Sequence, residues 1–122
     1  MKESFLDNQD IVKNLNRIGV KYCDMMKDSR IAYLLSDIDF FCKIVQDEQD
    51  LIDDEDDGIM PIIQVVQDDN DPCKIQIILL GSSFVFTDKD YAKFLAAISH
   101  SNEMIIKKSG KNGVKIILRF IL

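Results

Sequence analysis

Apolar residues recur along the first third of the chain at steps of three and four. Ile11, Leu15, Ile18, Tyr22 and Met25 fall on one helical face, and Ile31, Leu34, Ile38, Phe41 and Val45 repeat the spacing. The first series predicts a helix over about 8–27, with Asp7 as its N-cap and Gly19 as its weak point. Asp28-Ser29 reads as a break and a fresh cap, so a second helix is expected to about Val45, the two forming an αα-hairpin. Beyond residue 58 the pattern changes. Ile59 to Gln67 is β-branched, with Pro61 tolerable only near a strand start or on an edge. Asp68-Asp69-Asn70-Asp71-Pro72 has turn composition, and Lys74 to Leu80 begins with alternation and ends as an apolar run. Two antiparallel strands in a hairpin follow.

Gly81-Ser82-Ser83 breaks the chain before a short third strand, Phe84-Val85-Phe86. Thr87 and Asp90 form a capping-box variant that opens a third helix, with Tyr91, Phe94, Leu95 and Ile98 expected on its buried face. Ser101-Asn102 ends it. Met104 to Lys108 and Val114 to Leu122 make a final hairpin around Asn112-Gly113, the strongest short turn signal in the chain. Val114, Ile116, Leu118, Phe120 and Leu122 share one face of the last strand, so it is expected inside the sheet. The expected fold is α+β, a single domain over 1–122, with element order α-α-β-β-β-α-β-β. It combines an N-terminal helical hairpin with a mainly antiparallel sheet of four or five strands and one further helix between hairpins. Helices should cover the face made by Ile75, Ile77, Leu79, Ile116, Leu118 and Phe120.

Composition supports this picture. The chain has 122 residues, 47% of them hydrophobic, which is enough for one domain with its own core. No apolar run approaches the roughly 18 residues of a membrane-spanning helix. The first ten residues, MKESFLDNQD, lack the apolar stretch of a leader, and Cys23, Cys42 and Cys73 are widely spaced and odd in number. A reduced, cytoplasmic setting is therefore expected.

Charge is where the sequence becomes unusual. The net charge is -6, and the counts up to Cys73 give -11 against +5 for the remainder. Eight of the eleven residues from 47 to 57 are acidic: Asp47, Glu48, Asp50, Asp53, Asp54, Glu55, Asp56 and Asp57. Such a run is ordinarily a solvated acidic loop, here at about 47–58. Its functional reading is an anionic surface that meets a basic protein partner, and its sign excludes phosphate backbones. Lys107, Lys108, Lys111, Lys115 and Arg119 gather on the final hairpin, without the aromatic residues of a nucleic-acid platform.

Other chemistry is thinly represented. Counting from Asp53, acids at positions one, three and five and glycine at six resemble half of an EF-hand loop. Position twelve is Gln64, which cannot supply the bidentate carboxylate, so no metal or cofactor is expected. His100 is the one histidine, and no cysteine sits in a nucleophile or zinc motif. Gly81-Ser82-Ser83 lacks both the second glycine of a nucleophile elbow and the lysine of a phosphate loop. With no catalytic constellation, the expected role is a protein-binding inhibitor or neutraliser. A bacterial immunity protein or antitoxin against a nuclease-type toxin fits, as does a phage anti-defence inhibitor. The alternative is a secretion-type chaperone or adaptor.

Overall fold

The computed structural model describes residues 8–51, 61–81, 87–111 and 113–122. Helix α1 spans Asn8–Arg17 and α2 spans Asp28–Leu51. The first helix is thus ten residues shorter than the apolar spacing predicts, and Gly19 is the reason. Its φ of +80° is left-handed. The Val20 amide reaches back to the Leu15 carbonyl at 2.8 Å and the Gly19 amide to Asn16 at 3.1 Å. That is the Schellman arrangement, in which a glycine satisfies the orphan carbonyls and stops the helix. Val20 and Leu15 are both buried beneath it. Residues 18–27 continue as irregular chain, in which Met26 is buried and Met25, expected on a helical face, is 78% exposed.

Helix α2 runs past Val45 to Leu51, so Asp47, Glu48 and Asp50 are helical and not part of a loop. Pairs one turn apart carry it on: Lys43 with Asp47 at 3.3 Å and Gln46 with Asp50 at 3.0 Å. Its face of Ile31, Leu34, Ile38, Phe41 and Val45 is buried as the spacing predicts.

The sheet is four-stranded and antiparallel. Strands β1 (Ile62–Gln67), β2 (Lys74–Gly81), β3 (Glu103–Ser109) and β4 (Gly113–Ile121) stand in the order β1-β2-β4-β3. Both expected hairpins form, and they join through β2 and β4, where Ile77 lies opposite Leu118. The expected extra strand at Phe84–Phe86 lies outside the described residues. Ile75, Ile77, Leu79, Ile116, Leu118 and Phe120 are buried together with the apolar face of α2, as predicted. Leu122 is also buried, and its amide donates to the Cys73 carbonyl at 2.8 Å.

Helix α3 (Asp88–His100) opens on the predicted capping box of Thr87 and Asp90. Its inward face differs from the expected one. Ala97 is buried, with Phe94 and Ile98 half-buried beside it, while Tyr91 and Leu95 are 54% and 48% exposed. The cause is that α3 leans on α2 over a narrow seam. Phe94 meets Phe41 edge-on at 6.1 Å, and Ala97 is fully buried. Asn102 fixes the exit of α3: its amide donates to the Arg119 carbonyl, and its side-chain oxygen accepts from the Ile121 amide and from the Arg30 guanidinium.

Candidate functional site

The acidic end of α2 is the sequence-predicted site within reach of the structure. Asp47 is more than half exposed and pairs with Lys43, and Asp50 is exposed beside Gln46. Glu48 departs from the prediction. It lies four residues beyond Ile44 and seven beyond Phe41 on the buried stripe, and it is only 6% exposed, so it does not belong to a docking surface. Asp53, Asp54, Glu55, Asp56 and Asp57 lie outside the described residues. The Gln49 side-chain amide donates to the Pro61 carbonyl at 2.8 Å, so the helix end and the start of β1 meet at one anchor. Gln64, the twelfth position of the calcium template, sits exposed in the middle of β1, where a strand replaces the exiting helix of that motif. Among the described residues, no three potential ligands stand together as a metal site.

The electrostatics of this helix end are unfavourable in the free protein. The last turn of α2 holds no basic residue. Carbonyl dipoles at a helix C-terminus carry roughly half a negative charge, and each carboxylate placed there costs about 0.3–1 kcal/mol. Among the described residues, Lys43 pairs with Asp47 and offsets part of this.

A second polar group lies at the seam between α2 and α3, and the sequence reading overlooked it. Nδ1 of His100 lies 3.0 Å from the Asp37 carboxylate, and the imidazole stacks on Tyr33 with ring centres 4.2 Å apart. The Asp37 side chain is 7% exposed and His100 27%. Burial pushes the Asp37 carboxyl above the usual carboxylate range, and the His100 hydrogen bond and charge pull it back. A cleft of about 390 Å³ adjoins it, lined by Ser36, Lys43, Lys93 and His100 among others. A carboxylate that fixes an imidazole through Nδ1 is the arrangement of many general bases. Here the ring face is capped by Tyr33. The signal for this group was present in the sequence: Asp37 falls three residues after Leu34 and four before Phe41, on the apolar stripe itself.

The cysteines offer little nucleophilic chemistry. All three are free thiols. Cys42 is exposed on α2, and desolvation and the Asp39 charge push its thiol up, away from the reactive thiolate. The final-hairpin cations divide by register. Lys107 stands directly opposite Lys115, while Arg119 faces Glu103 and pairs with it at 2.8 Å.

No family model, curated protein or solved structure matches the chain. Among the described residues, no helix is long and apolar enough to cross a membrane.

Proposed function

We propose that the chain is a small binding protein, not an enzyme, that neutralises a basic protein partner through the acidic end of α2 and the acidic residues that follow it. The observation that carries the reading is the electrostatic state of that helix end. Asp47 and Asp50 are exposed against the negative pole of the helix, with no basic residue in the last turn, and five further acids follow within seven residues. Anionic charge on an anchored helix, offset only in part by Lys43, is a surface that a cationic partner relieves. A nuclease domain, whose cleft is cationic because its substrate is a polyanion, is the partner class that fits best. In that reading the chain acts in the cytoplasm as an immunity protein or a phage anti-defence inhibitor. The alternative, an adaptor or chaperone, draws its support from the apolar outer face of the sheet.

The test replaces Asp53, Asp54, Asp56 and Asp57 by Asn, which keeps shape and removes four charges. Against a captured partner, association should fall from near 10⁸ toward about 10⁵–10⁶ M⁻¹s⁻¹ at low salt, and its salt dependence should flatten. The melting temperature should stay within a degree or two. Unchanged association would place the interface elsewhere.

A further inference from the structure

Helices cover one face of the sheet over β2 and β4, though Met104 and Ile106 of β3 on that side stay 36% and 60% exposed, and register defines the other face. It takes every second residue of each strand, fourteen positions in all: from Ile62 to Val66 on β1, from Lys74 to Leu80 on β2, from Lys115 to Ile121 on β4 and from Glu103 to Lys107 on β3. Half of these fourteen positions are aliphatic. An antiparallel sheet with one face in water normally alternates apolar-in with polar-out, so this face is too apolar for a solvated one. Ile78, Ile117 and Ile105 form a continuous row across three strands. Ile117 is 7% exposed yet stands apart from the cluster that forms the core. At one end, where the face meets the β1–β2 turn, lies a cavity of about 660 Å³ lined by Val66, Asp68, Lys74, Gln76, Glu103 and Arg119 among others.

The charges on this face select the partner. Lys107 and Lys115 are directly opposed on neighbouring strands. Like charges in that position are destabilising, and no acid of the face lies in their row, which continues through Leu80 to Ile62. Lysines on an edge strand can serve to block stray pairing, which accounts for Lys107 on β3 but not for Lys115 on the central β4. Lys74 adds a third cation at the far end, while Arg119 is already paired with Glu103.

We infer that the outer sheet face, centred on the Ile78–Ile117–Ile105 row, docks an acidic amphipathic helix of another protein whose carboxylates meet Lys107 and Lys115. The dimensions match one helix. From Lys115 to Ile121 is about 20 Å at roughly 3.4 Å per residue, the length of about 14 helical residues. Four strands span about 14 Å, against a helix diameter of about 10–12 Å. The sheet interior has no spare backbone donors, so recognition falls to side chains, which a helix presents with its own backbone satisfied. A second copy of the chain fits poorly. Two such faces stacked on a two-fold axis oppose like charges, and an acidic-to-basic contact between copies is head-to-tail and does not close. This surface is separate from the acidic end of α2, so either can fail alone.

The probe is a 14-residue stapled helical peptide with leucines at positions 4, 7, 8 and 11 and two glutamates at each end, titrated into the ¹⁵N-labelled full chain. Saturable shifts are expected in Gln64, Ile78, Ile105, Lys107, Lys115 and Ile117, with a Kd in the micromolar range. Lys107→Glu with Lys115→Glu should weaken binding at least tenfold, and the same peptide with lysines for glutamates should not bind the wild type. The single variant Lys107→Glu should melt no lower than the wild type, because it replaces a repulsive pair by an attractive one, which separates lost binding from lost folding. Shifts absent up to millimolar peptide, or confined to the helices, overturn the inference. So does equal binding by the double variant, self-association in sedimentation that the double variant abolishes, or preference of this face for a single-stranded oligonucleotide.

Discussion

His100→Ala tests the seam between α2 and α3 directly. The substitution leaves the Asp37 carboxylate with 7% exposure and without the imidazole that stands 3.0 Å away. Leaving a buried carboxylate without its hydrogen-bond partner costs about 1.5–3 kcal/mol. Loss of the Tyr33 stack adds about 0.5–1.5 kcal/mol. With a urea m-value of about 1.5 kcal/mol/M, the midpoint at pH 7 should fall by about 2 M. Asp37→Asn should cost far less, about 1 kcal/mol, because it keeps a hydrogen-bonding group for His100 and removes the desolvated charge. The pH dependence provides a second readout. The folded-state pKa of Asp37 lies above its ordinary 3.8, so in the window between the two the folded protein holds more protons and stability rises as pH falls. Removing His100 takes away both influences that lower that pKa and widens the window upward. The deficit of His100→Ala should therefore be greatest at pH 7 and shrink toward pH 4. A deficit below 1 kcal/mol, or one that does not change between pH 7 and 4.5, refutes the assignment of His100 as the partner that holds Asp37.

Three further outcomes are expected. Deleting residues 120–122 removes Phe120 and Leu122, both buried, at about 1.5–3 kcal/mol each against a total of about 5–15 kcal/mol; a soluble, cooperatively melting truncation by circular dichroism would contradict this. Gly19→Ala meets nothing within 4 Å, so its cost is conformational, about 1–2 kcal/mol for a left-handed residue, and a loss under about 0.5 kcal/mol in urea melts would remove Gly19 as the stop of α1. Asp47→Asn with Asp50→Asn should leave stability unchanged or raise it by up to about 1 kcal/mol, since relief at the helix end outweighs the lost Lys43 pair; a fall in the urea midpoint would show that these acids hold the helix.

The sheet was legible because its strands alternate cleanly and two hairpins are bounded by turn residues. Helix ends were less legible. Apolar spacing carries past Gly19 as far as Met25, and only the backbone shows that the glycine adopts the left-handed form that ends α1. At the other boundary, aspartate composition argues for a loop from residue 47, whereas pairs one turn apart and the buried Glu48 extend α2 to Leu51. Local propensity yields there to tertiary packing. Burial on α3 was misassigned for a related reason. A stripe through Tyr91 and Leu95 and one through Phe94 and Ala97 are both consistent with the period, and the choice depends on how α3 leans on α2. Along the acidic run, the sequence treats Asp47, Glu48 and Asp50 alike and could not show that Glu48 turns inward while Asp47 and Asp50 stay exposed. It also held the clue to Asp37, a carboxylate at a stripe position, which acquires meaning only once His100 is known to stand opposite.

The acidic end of α2 and the Lys107–Lys115 pair share one physical property: like charges gather there, and among the described residues the Lys43–Asp47 pair is the one ion pair that offsets them. A solvated surface chosen for solubility alone gains nothing from setting carboxylates against the negative pole of a helix, or from placing lysines face to face across a sheet. Among the described residues, no ion pair joins Asp47 or Asp50 of α2 to the lysines of the final hairpin. Two surfaces held in this state respond to a partner with the same signature. Neutralising either one should leave folding unharmed or improved while binding weakens, whereas a substitution that merely damages the fold lowers both together. That divergence, measured as urea midpoint against association rate for the same variants, separates a binding surface from an incidental cluster of charge. It also predicts that the two surfaces weaken differently with salt. Association at the acidic end should be steered by long-range charge and fall steeply with ionic strength, while the sheet face, with its aliphatic row at the centre, should keep most of its affinity.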